Sequence, residues 1–91
     1  MYKNVANQKI TIYAFDTSTN LPKTGDAANI TASISKDGAS GASSNDVNPT
    51  EIGGGIYVFD LTQAETNCDM FTIYASSSTS NVQIVPKSLY T

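Results

Sequence analysis

Asp60, Glu65, Cys68 and Asp69 fall within one short stretch, and their side chains suggest two chemistries, thiol nucleophilicity and hard-cation binding. A nucleophilic cysteine needs its thiolate stabilised by a nearby cation or a helix N-terminus. Asp69 beside Cys68 does the reverse, so Cys68 is expected to be a small turn or core residue. The sequence contains no histidine, which removes the usual general base at neutral pH and with it any Ser-His-Asp or Cys-His arrangement. Calcium takes about six to eight oxygens, usually from a loop of fixed spacing. No Asp-x-Asp-x-Asp-Gly loop is present, and Glu65 is claimed by a Thr62-x-x-Glu65 capping box, in which hydroxyl and carboxylate each satisfy a free backbone N–H. A glycosidase pair needs a defined carboxylate separation across a sugar cleft, which this spacing does not show. Gly53-Gly54-Gly55 lacks a following Lys-Ser/Thr and leads into an apolar run, so it is a hairpin turn and no phosphate loop. The chain is expected to be no enzyme and to hold no cofactor and no metal.

The elements that carry these residues are strands. Residues 9–15 alternate, with Ile10, Ile12 and Ala14 on one face and Thr11, Tyr13 and Phe15 on the other. Residues 29–36 alternate again, Ile30, Ala32 and Ile34 inward against Thr31, Ser33 and Ser35. Between them, 16–26 is turn chemistry throughout, with Asx and hydroxyl side chains and Pro22. Asp37-Gly38 is a strong turn signal, and the small residues of 39–46 predict a mobile tip. Val47 and Thr50-Glu51-Ile52 suggest short edge strands around Pro49. Residues 56–61 form a central strand whose Tyr57, Phe59 and Leu61 share the core face. A short helical turn over 63–67 follows, ending at Asn67, a residue suited to the left-handed conformation. Residues 70–75 place Phe71 and Ile73 inward, 76–81 is a polar turn, and 82–85 closes the fold with Ile84 before Pro86. The tail 87–91 extends that last strand.

The result is an all-β domain, a small two-sheet immunoglobulin-like sandwich of six or seven strands spanning 9–91, preceded by an arm over 1–8 that docks on a neighbour. Its predicted core is Ile10, Ile12, Ile30, Ile34, Tyr57, Phe59, Leu61, Phe71, Ile73 and Ile84. A chain of 91 residues buries only about 60–65% of its unfolded surface, so the core is thin. Eight acidic residues face five lysines and no arginine, which leaves the chain without the fork that grips phosphate or reads guanine. Nucleic acid is therefore not an expected partner. One cysteine gives no disulfide framework, which suits folding in a reducing cytoplasm. The first residues show no signal-peptide pattern, and no run approaches the roughly eighteen apolar residues of a membrane span.

Three strands, 9–15, 56–61 and 70–75, are apolar on both faces, whereas 29–36 has a wettable outer face. One thin core uses only one face of each strand. The surplus predicts self-association or docking on another protein, through Ile56 and Val58 together with Tyr2, Val5, Leu89 and Tyr90 of the two terminal segments.

Lys23-Thr24-Gly25-Asp26-Ala27-Ala28-Asn29-Ile30-Thr31-Ala32, Ile34-Ser35-Lys36-Asp37-Gly38, Asn48-Pro49-Thr50-Glu51-Ile52 and Gly55-Ile56-Tyr57-Val58-Phe59-Asp60-Leu61-Thr62-Gln63-Ala64-Glu65-Thr66-Asn67 together resemble a small immunoglobulin-like module. That module recurs among structural proteins of tailed bacteriophages. The likeness covers most of 9–85 and brings no catalytic residues. It implies a virion protein assembled in the host bacterial cytoplasm, a capsid decoration or cement protein that binds the major capsid protein or another virion protein, with trimers common in that role. A neck or tail component, or weak adhesion to host-surface glycans, is the alternative. Glycan binding asks for an aromatic platform beside polar loops, and 16–26, 37–46 and 76–81 contain no Tyr, Phe or Trp.

Overall fold

Alternation along the chain becomes nine strands in the computed structural model, which describes residues 1–91. In chain order they are β1 (Gln8–Asp16), β2 (Leu21–Pro22), β3 (Ile30–Lys36), β4 (Ala42–Ser43), β5 (Thr50–Gly53), β6 (Ile56–Leu61), β7 (Met70–Ser77), β8 (Val82–Val85) and β9 (Lys87–Tyr90). Seven have four residues or more, and β2 and β4 are two-residue pairings. Two antiparallel sheets pack face to face as a small β-sandwich. One sheet runs β2-β1-β6-β5 with β8 also on β1, and the other runs β4-β3-β7-β9.

The inward residues of both sheets form one cluster containing Ile10, Ile12, Ile30, Ile34, Tyr57, Phe59, Leu61, Phe71, Ile73 and Ile84 with Ala14, Ala32 and Cys68. Burying side chains such as Phe59 or Ile73 stabilises by roughly 1.5–3 kcal/mol each. The Thr62–Glu65 box forms in both directions: Thr62 N–H donates to Glu65 Oε1 at 2.9 Å and Glu65 N–H to Thr62 Oγ1 at 3.2 Å. The turn it caps is a 3-10 turn, Ala64–Thr66, and Asn67 leaves it at φ −82°, outside the left-handed region expected for it. A single 3-10 turn ends without the reversal that a longer helix requires. Asp37 and Gly38 both have positive φ, and Ala39 N–H closes their turn on Lys36 O at 3.0 Å.

Four further expectations are corrected. The 39–46 segment is pinned: Ser44 N–H donates to Ala32 O at 3.0 Å, Asn45 N–H to Glu65 Oε2 at 3.0 Å, and Asp60 N–H to Asp46 Oδ2 at 2.8 Å. Small side chains let its backbone lie close to the sheet. Val47 stands exposed outside any strand. The arm turns back on its own domain, with Asn4 N–H donating to Thr66 O at 3.0 Å, Val5 N–H to Thr66 Oγ1 at 3.1 Å, and Lys3 paired with Asp69 at 2.8 Å. Gln8 opens β1 and folds the arm over by donating to Tyr2 O and Val5 O. The tail does form a strand, β9, but Pro86 redirects the chain so that β8 pairs with β1 and β9 with β7 in the other sheet.

Candidate protein-binding face

With Ile10, Ile12 and Ala14 facing in, alternation turns Lys9, Thr11, Tyr13 and Phe15 of β1 outward. The same logic on β6 turns Ile56, Val58 and Asp60 outward. Register then sets these side chains against one another: Tyr13 lies opposite Ile56, Thr11 opposite Val58 and Lys9 opposite Asp60. Neighbouring strands extend the surface, since Val85 of β8 lies opposite Tyr13, Pro22 of β2 opposite Phe15, and Thr50 of β5 opposite Val58. The rings of Tyr13 and Phe15 stack along the strand with centroids 6.1 Å apart and planes 17° from parallel. Tyr13, Phe15, Ile56 and Val58 are half-buried by one another, and Val85 is exposed. An ion pair between Lys9 and Asp60 borders this apolar surface at one end.

A shallow groove of about 120 Å³ opens beside Tyr13, lined by Thr11, Ile12, Ile56, Val85, Pro86 and Lys87. Of the six residues expected to meet a partner, Ile56 and Val58 lie on this face. Tyr2, Val5 and Tyr90 are exposed elsewhere, Tyr2 and Tyr90 each at 76%. They belong to the end of the sandwich around Asp69, whose carboxylate holds Lys3 and whose carbonyl holds Thr91 N–H. Leu89, paired opposite Phe71, packs against the core. The six therefore divide between two surfaces and the interior. Tyr13 and Phe15 were legible from the same alternation that gave Ile56 and Val58. Val85, Pro86 and Lys87 depend on which strand lies beside β1, which no spacing reveals.

The remaining chemistry-bearing residues have structural work. Asp60 holds Lys9, Asp69 holds Lys3, and Glu65 holds two backbone N–H groups, of Thr62 and Asn45. Cys68 is buried, and burial together with Asp37 and Asp69 pushes its thiol up, so the neutral form persists. One charged group is buried: Asp26 is only 2% exposed. It accepts from Ser77 Oγ at 2.5 Å, Thr79 Oγ1 at 2.6 Å and Asn29 Nδ2 at 3.1 Å. Burial alone would raise its pKa, but these three donors and Lys23 outweigh burial and hold the carboxyl below its ordinary value of 3.8. Its own N–H donates to Tyr57 Oη at 3.2 Å, and Tyr57 Oη donates to Lys23 O at 2.8 Å. The network ties the 23–29 crossover to the end of β7 and to the core tyrosine of the opposite sheet. A carboxylate so fully supplied with donors carries no proton to exchange near neutral pH.

No protein-family model, curated protein or solved structure matches this chain.

Proposed function

We propose that this domain is a non-enzymatic structural module that binds another protein through the outer face of the β1–β6 sheet. The observation that carries the reading is the contiguous apolar surface of Tyr13, Phe15, Ile56, Val58 and Val85 on a sheet face that water would otherwise cover. Such patches on small domains mark interaction sites. The buried, fully donated Asp26 and the neutral Cys68 support a structural part over a catalytic one.

Taken with the resemblance over most of 9–85 to phage structural modules, the partner we propose is the major capsid protein or another virion protein. The domain would then be a decoration or cement protein that braces the head shell, bound in many copies as a homo-oligomer such as a trimer and carried in the virion. The loops without aromatic side chains give glycan adhesion less support. Val58→Asp places a charge in the middle of the face while leaving the core untouched. The variant is expected to keep its fold by circular dichroism and to lose binding to heads that lack the protein. Particle imaging should show hundreds of copies on the head, as the many repeated sites of a shell require. About a dozen copies confined to the neck, or a Val58→Asp variant that binds as well as the original, would refute the cement reading.

A further inference from the structure

One edge of β1 is paired along its length and the other for only part of it. Ala14 N–H donates to Gly55 O, so the even-numbered residues of β1 turn their backbone groups towards β6. Thr17 N–H donates to Asn81 O, which continues the β8 ladder and shows that the odd-numbered residues face that side. β8 reaches Tyr13 through Val85 and stops there, because Pro86 sends the chain to the other sheet. Continued in register, Lys87 would lie opposite Thr11 and Leu89 opposite Lys9. Instead they pair with Ile73 and Phe71 of β7. The N–H and C=O groups of Thr11 and Lys9 are thereby left at an edge with no strand. The groove beside Tyr13 opens at this same place, lined by Thr11, Val85, Pro86 and Lys87.

We propose that this gap accepts an extended segment of the partner protein, added antiparallel to β1 in line with β8. An extended backbone is the occupant that satisfies alternate N–H and C=O groups at a sheet edge. A lysine on an edge strand often guards against pairing, but the Lys9 ammonium is turned onto the face, where Asp60 holds it. Cross-strand neighbours share a face, so the incoming residue opposite Thr11 points into the groove between Tyr13, Ile56 and Val85. A cavity of roughly 150 Å³ holds benzene, so a groove of about 120 Å³ takes one branched aliphatic side chain. Lys87 lines the groove and has no ion-pair partner, which calls for a carboxylate just before that aliphatic residue. Within residues 1–91 of a second copy no segment hangs free, since each strand is paired on at least one side and the arm is tied to Thr66 and Asp69.

The inference rests on the reading of this face as protein-binding, and its probe is the blocked peptide Glu-Leu-Thr-Val-Thr, followed by amide hydrogen exchange on the whole protein. In the free protein Lys9 and Thr11 are expected to exchange at open-chain rates while Ile10 and Ile12, bonded to β6, are protected. Saturating peptide should slow Lys9 and Thr11 by about tenfold or more, as strand pairing does. N-methylation of the peptide at Leu and Val keeps its side chains and removes the donors to Thr11 and Lys9, and should abolish the effect. Thr11→Pro removes one open-edge donor without touching a bond to β6, and should weaken the peptide by about tenfold, the worth of a hydrogen bond. The proposal is overturned if the peptide fails to bind at millimolar concentration, or if the N-methylated peptide binds equally well. It is overturned too if Lys9 and Thr11 are already protected in a concentration-dependent way, which would mean that a second copy occupies the edge. Val58 lies outside the groove, so a Val58→Asp variant that loses head binding while the peptide never binds overturns the strand alone and leaves the face standing.

Discussion

Gly55→Ala tests how the β5–β6 hairpin is fitted against β1, because Gly54→Ala next to it supplies the control. Both glycines have left-handed backbones, φ +60° at Gly54 and +80° at Gly55. An L side chain in that region costs about 1–2 kcal/mol at either site. They differ in what a Cβ would meet: nothing within 4 Å at Gly54, but Ala14 O at 2.7 Å, Pro22 Cβ at 3.0 Å and Tyr13 Cε1 at 3.1 Å at Gly55. The nearest atom is backbone and cannot swing aside. Relief means drawing β6 away from β1, which loosens the Ala14 N–H to Gly55 O bond of 2.9 Å. Overpacking of this kind costs about 1–3 kcal/mol and a weakened hydrogen bond up to about 1 kcal/mol more. Gly54→Ala should therefore lose about 1–2 kcal/mol and Gly55→Ala about 2–6 kcal/mol. A domain of this size has a total stability of roughly 5–14 kcal/mol. Urea unfolding monitored by tyrosine fluorescence measures both, and an unchanged m-value would place the loss in the folded state. In thermal unfolding each kcal/mol corresponds to about 4–8 °C, so the two variants should melt well apart. Equal losses in the two variants would refute the close approach of Gly55 to β1.

Phe59→Ala, which empties a fully buried site, should lose about 3–5 kcal/mol in urea. Ser44→Ala should be neutral or gain up to about 1 kcal/mol, since the buried Ser44 hydroxyl has no hydrogen-bond partner and an unsatisfied polar group is unfavourable. Asp26, whose folded pKa lies below 3.8, contributes stability that is fully present above the unfolded carboxylate value and is lost as pH falls through the folded one. Unfolding measured from pH 7 downward should be flat until about pH 4 and then fall. Asp26→Asn should lower the plateau and make the acid fall shallower, with the lowered Asp16 and Asp37 supplying the fall that remains.

The strands and the core were legible because period-two alternation is strong where Ile, Phe and Tyr recur, as in β1, β3 and β6. The capping box was legible because Thr62 and Glu65 stand at the spacing that lets each reach the other's N–H. What stayed hidden depends on contacts distant in sequence. Asp26 sits in a run of turn residues and looked like a solvated loop position, yet Ser77 and Thr79, far along the chain, bury it. Ser44 and Asp46 looked mobile because small polar residues have no pattern of their own, and their order comes from Ala32 and Asp60. The strand beside the upper half of β1 was equally invisible, since Pro86 marks a break without saying which sheet the chain enters next.

That break also explains why surplus apolar surface counted strand by strand overstated the exposed face. On the β3–β7 sheet the outer side chains are largely polar, with Ser33 opposite Tyr74, Thr31 opposite Ser76 and Thr72 opposite Ser88. Its large ring, Tyr74, has Gly41 laid against it so closely that a Cβ there would strike the hydroxyl. Gly41 thus lies against one edge of that ring, which stays 44% exposed, and Tyr90, opposite Met70, adds a second exposed ring to this sheet. On the β1–β6 sheet the arm is held at the end of the sandwich by Thr66 and Asp69, and Pro86 takes the last strand away from β1 halfway along. The same proline that completes the second sheet with β9 leaves the first with an apolar face and an open edge side by side. Filling that gap from within would need β8 to run on past Val85, which would strip Ile73 and Phe71 of their partners Lys87 and Leu89. One terminal segment cannot complete both sheets, so the strand proposed to complete the first is one that residues 82–90 do not supply.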